Sequence, residues 1–192
     1  MVGCWTSVNG RAFTVPGSCG RQSTVMRCNG YNVIPPLSPD SSAPPHDCPA
    51  TLPEDYELFL YTLAEQYPSI RASTVTFVRR GSTLARVAGE LHFDHEIRCV
   101  LRERLLYDRL PATIDEYGYE VWRGAEKLYW YDSQPHPNEA TLQSTHPHHK
   151  HIPPDLKHHR IPAPQMSFDQ PNIPNLIEEI EGLIGDIEQA QQ

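Results

Sequence analysis

Residues 97–107, IRCVLRERLLY, alternate so strictly that they read as one strand with two unlike faces. Ile97, Cys99, Leu101, Glu103 and Leu105 project one way, and Arg98, Val100, Arg102, Arg104 and Leu106 the other. The first face is apolar apart from one carboxylate. A buried carboxylate without partners is costly, so Glu103 is expected to be protonated, paired, or set at a sheet edge facing a cleft. A buried ion pair with an arginine and an active-site role both remain open for it. On the second face, Arg102 and Arg104 could hold phosphate. Exposed cross-strand ion pairs are the commoner fate of such arginines.

Working outward, four further stretches have strand character: STVTFVRR (73–80), LARVAGELHF (84–93), DEYGYEVW (115–122) and KLYWYD (127–132). The connections are short, with Gly81, Pro111 and Gly124 at or near them, so neighbours are expected to pair as antiparallel hairpins. A small sheet of about five strands in a meander follows. Before it, TLPEDYELFLYTLAEQYP places Tyr56, Phe59, Leu60, Leu63, Ala64 and Tyr67 at helical spacing, with Thr51 and Glu54 spaced as a capping box. After it, IPNLIEEIEGLIGDIEQ sets Leu176, Ile180, Leu183, Ile184 and Ile187 on one face with acids opposite. The fold class is therefore α+β, a small antiparallel sheet flanked by an N-terminal and a C-terminal amphipathic helix. Residues 51–190 form the single domain, including a histidine- and proline-rich loop or irregular arm at 133–170.

Residues 1–50 carry few charges and the run IPPLSPDSSAPPHDCP, which favours extended backbone and reads as a disordered, proline-rich extension. Cys4, Cys19, Cys28 and Cys48 match no zinc-binding spacing and read as free thiols. No stretch approaches a membrane span, and MVGCWTSVNGRAF has neither a basic start nor an apolar core, so a cytoplasmic protein is expected. The net charge of -8 argues against non-specific coating of nucleic acid. That average conceals a polarity: residues 71–109 hold eight arginines against five acids, whereas 171–192 hold five acids and no Lys or Arg.

The unusual segment is THPHHKHIPPDLKHH (145–159), six histidines in fifteen positions. Imidazole can ligate transition metals or exchange protons near neutral pH. In an extended segment the H-x-H-H-x-H spacing sends side chains in alternating directions and does not by itself build a tetrahedral cage; adventitious zinc or nickel binding is expected, but no metal site and no cofactor. Proton transfer needs two histidines and a nearby cation: one takes the 2′-hydroxyl proton of RNA, another protonates the leaving 5′-oxygen, and the cation stabilises the phosphorane. His148 or His149, His151, Lys150 and Arg123 could supply those parts. Asp132 ends the strand 127–132 close to His136, and a carboxylate that orients an imidazole is a recurring catalytic arrangement, although Asp132 is equally a plausible turn start. A solvated histidine-rich loop is the third open reading.

The order of these pieces resembles the TumE-like family, toxins of type II toxin–antitoxin pairs. The matching elements are Glu103 in VLRERL, the aromatic EYGYEVW, WYDSQPHP, HPHHKH and the closing NLIEEI, spanning roughly residues 51–185. The most specific is the ordered pair of YDSQPHP and PHHKH, because prolines restrict the backbone around both histidine sets. The chain departs from the family pattern at Ser133 and Gln134, where Asn usually follows the Asp, and at Pro137, where a second His is frequent. The resemblance implies a growth-inhibiting toxin neutralised by a small helix-turn-helix antitoxin. RNA cleavage is the inference drawn from the residues, with His148, His149, His151, His136, Asp132 and Glu103 as candidate catalytic groups and Lys150, Arg102, Arg104 and Arg123 as candidate phosphate ligands. Toxicity by target binding without hydrolysis, and a metal-binding or structural protein, are the alternatives.

Overall fold

The strand read from residues 97–107 forms at Ile97–Leu106, and its Ile97, Cys99, Leu101, Glu103 and Leu105 side chains are the buried ones. The computed structural model describes residues 52–192, together with four two-residue strands nearer the N-terminus. The chain divides into two units, Met1–Ser42 and Ala43–Gln192. In the first, Ser7–Val8 pairs with Arg11–Ala12, and Arg27–Cys28 with Tyr31–Asn32, both antiparallel. The expected extension over 1–50 otherwise lies outside the described residues, as do Thr51 and the side chains of Cys4, Cys19, Cys28 and Cys48. Cys99 is a free, buried thiol.

The second unit opens with α1 (Pro53–Tyr61) and α2 (Leu63–Gln66), which meet at Thr62. There the Thr62 hydroxyl donates to the Leu58 carbonyl at 2.9 Å, a local bond that competes with regular helix. At the helix start the Leu52 N–H donates to the Asp55 carboxylate at 3.3 Å. Glu54, the acid expected to cap, instead pairs with Arg79 at 2.8 Å.

The strands are β1 (Ala72–Ser73), β2 (Thr76–Arg79), β3 (Leu84–His92), β4 (Ile97–Leu106), β5 (Thr113–Arg123), β6 (Glu126–Asp132), β7 (His149–His151) and β8 (Arg160–Pro162). They form one antiparallel sheet of eight strands in the order β8-β7-β6-β5-β4-β3-β1, with β2 also on β3. The expected count of five is thus too low by three. β1 and β2 share one edge of β3 and are separated where the chain crosses Gly89, at which an added Cβ would lie 2.5 Å from the Thr74 carbonyl oxygen. β7 and β8 come from the segment 133–170, expected to be a loop or irregular arm. Its histidines extend as strand because β6 offers a row of unpaired backbone groups that β7 satisfies.

The closing helix, α3 (Ile173–Ala190), lays Ile173, Leu176, Ile177 and Ile180 on the sheet. With Tyr56, Leu60 and Leu63 from α1 and α2, they bury one face, called inner here. The other face is exposed at Arg86, Ala88, Arg102 and Glu116. Among the described residues, no helix is long and apolar enough to cross a membrane.

Candidate functional site

Strand register decides which candidate residues meet. Arg102 lies opposite Gly118, Gly118 opposite Asp132, and Asp132 opposite His149, so these four form one row across β4, β5, β6 and β7. His151 lies opposite Trp130 in the next outer-face row. Alternation along β7 therefore gathers His149 and His151 on the outer face and sends Lys150 to the inner one. The spacing that disfavoured a cage within an isolated segment is the one that brings these two imidazoles together.

Asp132, His149 and His151 form a tight cluster. The two Nε2 atoms are 3.0 Å apart. His149 Nε2 is 3.0 Å from Asp132 Oδ1, and His151 Nε2 is 3.5 Å from Asp132 Oδ2. Each imidazole is oriented from its far side, where His149 Nδ1–H donates to the Pro147 carbonyl at 3.0 Å and His151 Nδ1–H to the Leu156 carbonyl at 2.7 Å. His149 is 0% exposed and His151 2%. The His151 and Trp130 rings meet nearly perpendicular with centroids 4.6 Å apart, and the His136 ring stands against His149 with centroids 4.8 Å apart. Asp132 also begins a turn, accepting the Gln134 N–H at 2.9 Å.

Burial pushes the His149 pKa below that of an ordinary imidazole, outweighing the Pro147 carbonyl and the Asp132 carboxylate. Burial opposes ionisation of Asp132 as well, but the facing His151 ring and the Gln134 backbone N–H prevail and hold it below the usual aspartate range. For His149 this favours a neutral imidazole beside an ionised carboxylate. One histidine nitrogen from each ring and one carboxylate oxygen lie within 4.8 Å of one another, a set that could hold a metal ion.

Asp132 also borders a cleft of about 980 Å³ on the outer face, floored by Arg86, Arg102, Arg104 and Gly118 and rimmed by Gln134 and Pro147. Gly118 leaves its row open, so that the Arg102 guanidinium lies across β5; an added Cβ would come within 3.9 Å of it. Arg102 donates to Glu120 at 2.7 Å, and Arg104 pairs with Asp115 and, at 3.0 Å, with Glu116. These are the cross-strand pairs that the alternation allowed. Arg86 has no ion pair among the described residues and was not singled out, although its register opposite Arg104 follows from the hairpin pattern. Arg160, opposite His151 and bonded to Glu139 at 3.3 Å, was likewise missed, because β8 was not expected to exist.

Four expected members lie elsewhere. Glu103 is on the inner face, 4% exposed, and accepts hydrogen bonds from Tyr56 at 2.6 Å and Tyr119 at 2.7 Å. Its neighbours are thus tyrosines and not an arginine, and burial raises its pKa against the pull of both hydroxyls. His148 stacks on Tyr117, whose hydroxyl is 2.8 Å from its Nδ1, away from the Asp132 cluster. Lys150 pairs with Glu179 of α3, its ammonium 3.9 Å from the Tyr129 ring centre. Arg123 lies opposite Glu126 in the β5–β6 register, whereas Asp132 lies opposite Gly118, five residues and roughly 16 Å further along β5.

An outer-face cleft with arginines on its floor and a buried carboxylate–imidazole cluster at its rim defines a protein with a candidate reactive site on an antiparallel sheet. A family model described as Toxin TumE matches residues 60–184, well over half of the chain, and the chain belongs to that family. No curated protein and no solved structure matches it. Membership of a toxin family implies an antitoxin partner in general terms.

Proposed function

We propose that this protein is the toxin of a type II toxin–antitoxin pair, restrained by a helix-turn-helix antitoxin in the cytoplasm, and that it arrests growth by cleaving RNA in the outer-face cleft. The observation that carries this reading is the Asp132–His149–His151 cluster bordering a cleft floored by Arg86, Arg102 and Arg104. A phosphodiester over that floor meets cations whose exposed ion pairs are each worth only about 0–1 kcal/mol, so phosphate can compete for them. Arg86 has no ion pair to break among the described residues. His136, half-buried and packed on His149, lines an adjoining concavity with Pro135 and Pro137 and is assigned the proton exchange with the substrate, while Asp132 connects the buried pair to the cleft. Attack by the 2′-hydroxyl requires one proton removed and one delivered to the leaving 5′-oxygen, and this group contains enough titratable atoms for both.

Glu103, His148 and Lys150 have no part in this centre, since each is engaged on the inner face. Induced expression in a bacterial host without antitoxin, followed by growth measurement and total-RNA profiling, tests the reading. Arrest with fragmented RNA is expected. Arrest with intact RNA would remove the nuclease and leave a toxin that acts by binding its target, and unimpaired growth would remove toxicity itself.

A further inference from the structure

We infer that Asp132, His149 and His151 form a binding site for a single divalent transition-metal ion, zinc being the best match to the donor set. The inference shares residues with the proposed reaction but does not depend on RNA cleavage.

A carbonyl oxygen can only accept, so the bonds to Pro147 and Leu156 require a proton on Nδ1 of both histidines. In the neutral rings Nε2 is then a bare lone pair. These two lone pairs face each other at 3.0 Å, and both face the Asp132 carboxylate, itself acceptor-only when ionised. Three acceptors converge with no donor among them. Such a set repels itself unless a cation stands in the middle.

Distances distinguish a metal from a proton. Two ligands at about 2.0–2.1 Å from zinc in tetrahedral directions lie roughly 3.3 Å apart. The observed separations of 3.0, 3.0 and 3.5 Å surround that value. A single extra proton could bridge one nitrogen pair, but it would leave the remaining lone pair facing the carboxylate without a donor. The far-side carbonyls are also the customary outer partners of metal-bound imidazoles, fixing both tautomer and ring orientation.

Burial fits as well. Histidines with 0% and 2% exposure are poorly placed to touch a substrate themselves, yet they can hold an ion reached from the cleft along Asp132, which is half-buried. Two imidazoles and one carboxylate leave a fourth position open, the arrangement typical of zinc sites that bind water or substrate and not of closed structural sites. Imidazole-rich donors also exclude magnesium and calcium as preferred occupants, because those ions take oxygen ligands.

The test uses the full chain, stripped with chelator and titrated with zinc by calorimetry and with cobalt by visible absorbance. One equivalent should bind with a micromolar or tighter dissociation constant, and cobalt should show the intense absorption of a tetrahedral site. Asp132→Asn should weaken binding at least tenfold and His151→Ala at least a hundredfold. A double change at the exposed His158 and His159, to Ala, should leave affinity within twofold. Should His151→Ala fail to fold, Asp132→Asn, which preserves shape, carries the test. Absence of stoichiometric binding overturns the site; so does zinc binding that survives Asp132→Asn unchanged but disappears with His158 and His159, which would mark an adventitious histidine tail. Metal-free protein that fragments RNA as fast as the zinc form would separate the metal from the nuclease while leaving the latter intact. Stoichiometric zinc binding with intact RNA in arrested cells would do the reverse.

Discussion

Glu103 and Asp132 are carboxylates on strands separated only by β5, yet they face opposite sides of the sheet and opposite kinds of neighbour. Glu103 meets donors: two tyrosine hydroxyls reach its two oxygens, and Asn172 in turn donates to Tyr119 at 3.0 Å while also holding the Ser167 carbonyl. Apart from the Gln134 N–H, Asp132 meets acceptors, since both imidazoles that approach it have their protons committed to carbonyls on the far side. The inner network is closed and links α1, β4, β5 and the start of α3. The outer one is complete only with a cation. A fully paired buried group serves the fold, whereas convergent acceptors at a cleft are the arrangement that binding or chemistry requires.

The largest effect that would sharpen this contrast is on toxicity. His151→Ala should raise the expression level needed for arrest by at least about 100-fold, in the range of losing a positioned acid–base or ligand group. Urea unfolding of the same variant should still give one cooperative transition, and collapse of that transition would move His151 to the structural side. Glu103→Ala should behave conversely. It strips two buried hydroxyls of their acceptor and opens a cavity, a loss of about 3 kcal/mol by urea denaturation. Toxicity should fall only in step with the folded fraction. If a well-folded Glu103→Ala protein were inert, the division between faces would fail. Tyr119→Phe is milder, about 1–2 kcal/mol, because Tyr56 still serves the carboxylate while Asn172 retains the Ser167 carbonyl.

How far these roles could be read from the residues varies with the range of the determining interaction. The two faces of β4 were legible, because alternation is local and its buried side carries consistently apolar residues around Glu103. The identity of the Glu103 partners was not, since Tyr56 is 47 residues away and only helix packing brings it there. The histidine cluster was half legible. Asp132, His136, His149 and His151 stood out by composition, but their meeting depends on β7 pairing with the edge of β6, a register that no periodicity in PHHKH announces. The same missing strand explains why Lys150 was grouped with its neighbours: a one-residue step along a strand reverses the face. Arg123 was misplaced because nearness in sequence to β6 is not nearness to its far end.

The smallest effect expected is in the pH dependence of stability, and it bears on whether the inner network is as closed as its geometry indicates. Burial lifts the folded-state pKa of Glu103 above its ordinary 4.5, the hydrogen bonds from Tyr56 and Tyr119 offsetting only part of that rise. A carboxyl whose folded pKa exceeds its unfolded value contributes most below the unfolded pKa, and the contribution is lost as pH climbs from about 4.5 through the folded value. Ordinary paired carboxylates have the opposite slope, so Glu103 is isolated by comparison with Glu103→Gln, which keeps the shape and removes the titration. The unfolding free energy of wild type minus that of the variant should therefore decline as pH rises above about 4.5. A difference that instead increases with pH would mean that the tyrosines hold Glu103 ionised, making it a charge the inner face was built to keep and bringing it closer in kind to Asp132.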